Sequence, residues 1–271
     1  MPHFCGWMSQ ELQQDVWKTD PEWFKPWFNT EAYHRLYGHR SEEEADSLVQ
    51  ALLSQQGLQK EGRVLDAGCG AGRHARAFFK RGWHVHAFDL SEASISAAKN
   101  HLQVPSNDNL QFHVRDLRKL RGLTEWKGDF DLVTNFFTSL GYFDEARAME
   151  HILEDFASFL KPGGHLVLDY LNPAAVAKGL VPREQITKEG TTFHIHRRIH
   201  NGWIEKSIQY TWNGEPCHHV ERVQALTKPS FCVAMSNAGL EVVHTWGNYQ
   251  LDAWKLDSPR TLMLAQKPIN L

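Results

Sequence analysis

The chain has few cysteines: four in 271 residues, at positions 5, 69, 217 and 232. They form neither a metal-ligand spacing nor a disulfide framework, which excludes a cystine-stapled secreted fold and fits a reducing cytoplasm. Neither charge is in large excess. Twenty-nine Lys and Arg against 32 Asp and Glu give a formal net charge of −3, so the basic footprint of a nucleic-acid binder is missing. No apolar stretch approaches a membrane span, and the polar, aromatic N-terminus has no signal core. The composition thus predicts a soluble cytoplasmic protein with no membrane or nucleic-acid partner. Repeats and low-complexity linkers are absent too, so the length suits one sizeable core with an elaboration.

The G-x-G-x-x-G string of dinucleotide sites is also absent. In its place stands Val64-Leu65-Asp66-Ala67-Gly68-Cys69-Gly70-Ala71-Gly72, and Asp89 closes the next hydrophobic run. This reads as strand, glycine turn, helix start, and a second strand ending in a carboxylate. Gly68, Gly70 and Gly72 let backbone N–H groups approach a ligand, and a helix N-terminus favours negative charge. Asp89 stands where a carboxylate accepts hydrogen bonds from both hydroxyls of a ribose. Asp66, two residues before the first glycine, suits a cationic group better than a pyrophosphate. S-adenosylmethionine supplies such a group in its ammonium. Plainer alternatives exist: the glycines could only make a tight turn, Asp89 could cap the helix starting near Ser91, and Cys69 reads as a small buried filler.

From Arg63 to Asn172 short apolar runs alternate with helical segments, the pattern of a parallel sheet covered on both faces. Residues 1–62 read as an aromatic-rich helical segment that lids the site, carrying Trp17, Trp23, Phe24, Trp27 and Phe28. Ser41 followed by Glu42, Glu43 and Glu44 marks a helix start, with apolar residues running to Leu53. Residues 63–271 form the main domain, with a strand-rich insertion at about 173–228. Asn201-Gly202 and Asn213-Gly214 are hairpin signals, and they predict an antiparallel three-stranded meander over Thr191–Thr227. In its first strand Phe193, Ile195 and Ile199 should pack while His194, His196 and Arg198 form a polar face. His194 and His196, with His218-His219 on a neighbouring strand, raise a metal site, but no carboxylate is spaced to complete one, so none is expected.

The D-A-G-C-G-A-G string resembles the cofactor loop of class I S-adenosylmethionine-dependent methyltransferases. Phe112-His113-Val114-Arg115-Asp116-Leu117, Phe130-Asp131-Leu132-Val133-Thr134-Asn135 and Leu160-Lys161-Pro162-Gly163-Gly164 resemble that superfamily's third strand, fourth strand and fifth-strand turn, in order. The resemblance implies a Rossmann-like, doubly wound α/β fold with a seven-stranded sheet. It implies a cofactor set of Asp66, Gly68, Cys69, Gly70, Gly72, Asp89, Leu90, Asp116, Leu117 and Asn135, with Asp116 facing adenine, although Asp116 could also be a solvated loop acid.

Phe137-Thr138-Ser139-Leu140-Gly141-Tyr142 is similar to an F-S-S-x-G-[HY] string of the small-molecule branch that includes amino-sugar N,N-dimethyltransferases. The N-P-P-Y string of enzymes that methylate nucleobase amines or glutamine amides is not there. Methyl transfer from a sulfonium asks the protein mainly to align and desolvate the nucleophile, and at need to remove a proton. Tyr142, Tyr33, Tyr37 and His194 are the candidates for acceptor contact or proton transfer. The expectation is methylation of an amine or hydroxyl on a small molecule, with a homodimer through the meander left open. The alternatives are a nicotinamide-dependent oxidoreductase and a non-catalytic cofactor-binding protein.

Overall fold

A computed structural model describes residues 16–38, 41–101 and 108–269, so Cys5 lies outside the described residues. The strands are β1 (Arg63–Ala67), β2 (His84–Asp89), β3 (Leu110–Val114), β4 (Phe130–Asn135), β5 (Leu160–Leu171), β6 (Arg183–Lys188), β7 (Thr191–His200), β8 (Trp203–Trp212), β9 (Glu215–Gln224), β10 (Glu241–Trp246) and β11 (Arg260–Gln266). Seven of them form one sheet in the order β10-β11-β5-β4-β1-β2-β3, with β11 antiparallel to both neighbours and the other pairings parallel. The doubly wound seven-stranded sheet expected from the sequence is therefore present.

Alternation along these strands feeds two cores. Leu65, Ala67, Phe88, Val133, Leu166 and Leu168 face one way. They pack under Ile152, Leu153 and Phe156 of α6 (Ala148–Phe159) and Phe231 and Met235 of α8 (Lys228–Asn237). Val64, Val85, Ala87, Leu132, Val167 and Leu264 face the other way. Their partners lie on α3 (Glu42–Leu53), α4 (Arg73–Phe79) and α5 (Glu92–Asn100). Helix α3 starts as the sequence requires: the Ser41 hydroxyl accepts from the Glu44 N–H. The N-terminal helices α1 (Phe24–Trp27) and α2 (Glu31–Tyr37) bury Phe24, Trp27 and Leu36 in the first core.

Between α7 (Pro173–Lys178) and α8 lies a second, antiparallel sheet in the order β6-β7-β8-β9. The three strands of the expected meander are there, and β6 makes a fourth. All three hairpins turn through two residues at positive φ: Glu189-Gly190 (46°, 79°), Asn201-Gly202 (48°, 79°) and Asn213-Gly214 (52°, 86°). The first escapes a sequence search because Glu189 lacks the left-handed preference of asparagine, and because β6 holds only one apolar residue, Ile186. Phe193 and Ile195 pack, but Ile199 does not: it is 39% exposed, beyond the edge of the core.

Candidate functional site

The strand order reverses between β1 and β4, and the space beyond their carboxyl ends is where an open α/β sheet binds ligand. A cavity opens there, lined among others by Gly68, Gly70, Asp89, Leu90, Asp116 and Leu117. All three loop glycines sit at positive φ, at 74°, 55° and 79°. Their N–H groups, however, turn inward. Gly68 and Cys69 donate to the Phe88 carbonyl at 2.8 and 2.9 Å, Gly70 to Asp89 Oδ2 at 2.8 Å, and Gly72 to the Cys69 carbonyl at 3.0 Å. The loop is therefore strapped to β2, and the ligand side is open backbone: a Cβ at Gly70 would meet nothing within 4 Å.

Gly72 does not line this cavity. A Cβ on it would come within 2.6 Å of the Phe112 ring, so its hydrogen permits close packing of loop against β3. Gly72→Ala, at φ 79° and against that ring, is expected to cost about 2–4 kcal/mol. Urea unfolding measures it.

Asp89 accepts from Gly70 at one oxygen and from the Ser91 N–H at the other, 2.9 Å away. It is not the cap of α5, since Ser91 fills that place with its hydroxyl on the Ser94 N–H. Burial pushes the Asp89 carboxyl up, against those backbone hydrogen bonds. Asp116 lines the same cavity, but its carboxylate is gripped by Arg118 at 3.0 and 2.7 Å, which holds it low although burial pushes the other way. Arg118 also binds Glu22 and Glu145, so Asp116 is neither solvated nor free to turn.

Asp66 and Asn135 lie beneath the loop rather than in the cavity wall. Asp66 takes the Thr134 hydroxyl at 3.0 Å on Oδ1 and its carboxyl is also faced by the Ala75 backbone N–H, while no close donor meets Oδ2. Asn135 donates to the Ala67 carbonyl at 2.7 Å, and its Oδ1 is likewise without a close donor. Cys69 is the buried filler that the sequence suggests. It borders a neighbouring depression instead of the Asp89 cavity, and burial pushes its thiol well above the usual range.

Burial likewise raises the Asp66 carboxyl from 3.8 to about 7, partly opposed by Thr134. Between those values the folded protein keeps a proton that the unfolded chain has released, so stability falls as pH rises through that window. The full difference is at most about 4 kcal/mol. Asp66→Asn should remove the slope: relative to the variant, the wild type loses stability between about pH 4 and about pH 7. Parallel unfolding profiles would contradict this.

On the acceptor side, Phe28, Tyr33, Phe137 and Tyr142 stand in the wall of the cavity and also of an adjoining compartment. Tyr37 and Glu221 line that compartment and not the cavity. Three of the four candidates, Tyr33, Tyr37 and Tyr142, are thus brought together. His194 is not. It lies exposed beside Gly190 and Gln209, on the second sheet's outward face. The register explains its placement: the packed face of that sheet carries Phe193, Ile195 and Lys206 opposite Glu221, and this face, not the histidine one, meets the site.

Three contributors were missed: Asp169, Arg260 and Glu221. Phe137 and Thr138 both have left-handed backbones, φ 66° and 74°, unusual for a ring and a β-branched residue. Asp169 of β5 holds them, accepting from Phe137 N–H at 2.9 Å, from Arg260 at 2.8 Å on each oxygen, and from the Tyr249 hydroxyl at 2.8 Å. Its one sequence signal was a carboxylate inside the apolar run Leu166–Leu171.

A family model for a methyltransferase domain matches residues 37–245. A ubiquinone biosynthesis O-methyltransferase of Marinobacter nauticus is 32% identical over 110 residues, 41% of this chain and 44% of that one. A dTDP-3-amino-3,4,6-trideoxy-alpha-D-glucopyranose N,N-dimethyltransferase of Streptomyces venezuelae is 27% identical over 192 residues, 68% of this chain and 77% of that one. The chain spans about half the length of several curated relatives it matches. Among solved structures, an S-adenosylmethionine-dependent methyltransferase from Clostridium acetobutylicum superposes with a TM-score of 0.73 at 15% identity, over 88% of this chain and 96% of that one. That likeness is one of fold. Among the described residues, no helix is long and apolar enough to cross a membrane.

Proposed function

The chain belongs to the methyltransferase-domain family, and from that membership we propose that it transfers a methyl group from S-adenosylmethionine to an amine or hydroxyl of a small molecule. The observation that carries this reading is the cavity itself: a half-buried ribose-type carboxylate, Asp89, at one end, and at the other an aromatic compartment sharing its wall.

The residues suit that cofactor. Gly70 leaves open space beside its backbone, and two buried oxygens under the loop, Asp66 Oδ2 and Asn135 Oδ1, lack the close donors that buried acceptors require. Asp89 would take the ribose hydroxyls, Leu90 and Leu117 would flank the base, and Asp66 would answer the ammonium from beneath. S-adenosylmethionine supplies a methyl group already activated on a sulfonium.

The remaining work falls to the chain. Phe28, Tyr33, Phe137 and Tyr142 exclude water from the shared wall, which strengthens every electrostatic interaction inside it. The Asp169–Arg260 pair fixes Phe137, and with it the mouth through which the acceptor must reach the cofactor cavity. Orientation of this kind is where most of the acceleration of a bimolecular transfer can come from.

A methyl-transfer assay with labelled S-adenosylmethionine, run against panels of small amines and hydroxy compounds, tests the reading. Turnover of at least one member is expected. Cofactor binding without turnover of any member would favour the non-catalytic alternative.

A further inference from the structure

The compartment next to the cofactor cavity is built from rings. Trp23 meets Tyr142 edge-on at 5.4 Å and Phe28 at 5.6 Å. Phe28 lies 4.8 Å from Tyr33 and 5.5 Å from Tyr142, and Tyr33 lies 4.9 Å from Tyr37. Two charged side chains share the lining with them, Glu221 and Arg260. They differ in what they have left to offer. Arg260 is engaged at both its Nε and Nη2 with the fully buried Asp169, so its charge is met. Glu221 is held in place by neutral donors, the Trp27 indole N–H at 2.7 Å and the Tyr37 hydroxyl at 2.8 Å.

Its cationic neighbour Lys206 forms a looser ion pair with it, 3.7 Å from Oε2, and also donates a short hydrogen bond to the Tyr37 oxygen. Lys206 does not reach the compartment wall. A ligand in the compartment therefore meets aromatic faces and the near side of a fixed carboxylate.

Aromatic faces attract cations through their quadrupoles, and a carboxylate adds charge complementarity and penalises an anion. Resting on the methyltransferase reading, we propose that this compartment selects acceptors that carry a basic amine, held as an ammonium among Trp23, Phe28, Tyr33 and Tyr142 with Glu221 as its counter-charge. The bound ammonium releases one proton to solvent, the freed lone pair takes the methyl carbon as its bond to sulfur breaks, and the methylated nitrogen is again positive, so one compartment serves both ends of the reaction. A hydroxyl acceptor is neutral at both ends and gains nothing from either feature. Glu221 is in this account a specificity residue, contributed by the inserted sheet rather than by the methyltransferase core.

Binding tests this without knowledge of the natural acceptor. Full-length protein is saturated with S-adenosylhomocysteine, then titrated with cyclohexylamine and with cyclohexanol, a neutral ring of the same size, at matched ionic strength. Fluorescence is the readout, since Trp23 stands in the wall. The amine is expected to bind about tenfold tighter than the alcohol. Glu221→Gln, whose amide oxygen still accepts from Trp27 and Tyr37, should bring that ratio close to one while binding of S-adenosylhomocysteine is unchanged. Equal or tighter binding of the alcohol, binding of neither probe, or an undiminished ratio in the variant overturns the proposal. The wild-type comparison stands even if the variant fails to fold. Failure to bind S-adenosylhomocysteine at all would instead sink the methyltransferase reading beneath it.

Discussion

Asp89→Ala is expected to weaken S-adenosylmethionine binding by at least about 100-fold while the protein remains folded. The carboxylate closes β2, with one oxygen 2.8 Å from the Gly70 N–H and the other 2.9 Å from the Ser91 N–H. Each oxygen keeps a lone pair for a ribose hydroxyl. Hydrogen bonds to a charged group contribute about 1.5–3 kcal/mol each, so losing two accounts for the expected factor with some margin. The variant also frees the strap on Gly70, which should lower stability by about 1–3 kcal/mol without unfolding the domain. Calorimetric titration paired with circular dichroism separates the two effects. Undiminished binding in a folded variant would refute the ribose assignment.

The largest stability effect should come from Asp169→Ala, a loss of about 3–5 kcal/mol in denaturant unfolding. Asp169 is fully buried and carries four hydrogen bonds from Arg260, Tyr249 and the Phe137 backbone. Removing it leaves a mostly buried guanidinium without its counter-charge, which costs far more than losing an exposed ion pair. It also releases the left-handed backbone at Phe137 and Thr138, a conformation that persists only when its surroundings impose it. Against a typical domain stability of about 5–15 kcal/mol, this is a decisive fraction. The double variant Asp169→Leu/Arg260→Met should recover part of the loss, because the uncompensated charge is then gone. A single-variant cost below about 1 kcal/mol would mean that the pair is not what holds this corner together.

The proposed cofactor half of the site is legible in the sequence because its parts are close along the chain. Asp66, the glycines and Asp89 fall within one strand-turn-helix-strand unit, and hydrogen bonds such as Gly70 to Asp89 span only 19 residues. Even there the reason for each glycine was only partly right. Gly72 is needed by Phe112, forty residues on, and no local pattern could reveal that contact. The proposed acceptor half is less legible because its contacts are distant. Asp169 and Arg260 are 91 residues apart, and Tyr37 and Glu221 are 184 apart.

His194 illustrates the same limit. Strand alternation separates two faces of the inserted sheet, but only the packing of Phe193 and Ile195 against the core decides which face meets the site. Polar residues on the solvent face are then poor candidates, whatever their chemistry. The hidden fourth strand, β6, is an edge strand with mostly exposed side chains, so the alternation that betrays a half-buried strand is missing from it.

The loop and Asp89 are proposed to form an S-adenosylmethionine site, and side-by-side calorimetric titration of the purified protein with S-adenosylmethionine and NADH is the measurement that decides it. S-adenosylmethionine is expected to bind in clear preference to NADH. No binding of S-adenosylmethionine, or a preference for NADH, would contradict the roles given to Asp66 and Asp89 and the functional proposal that rests on them.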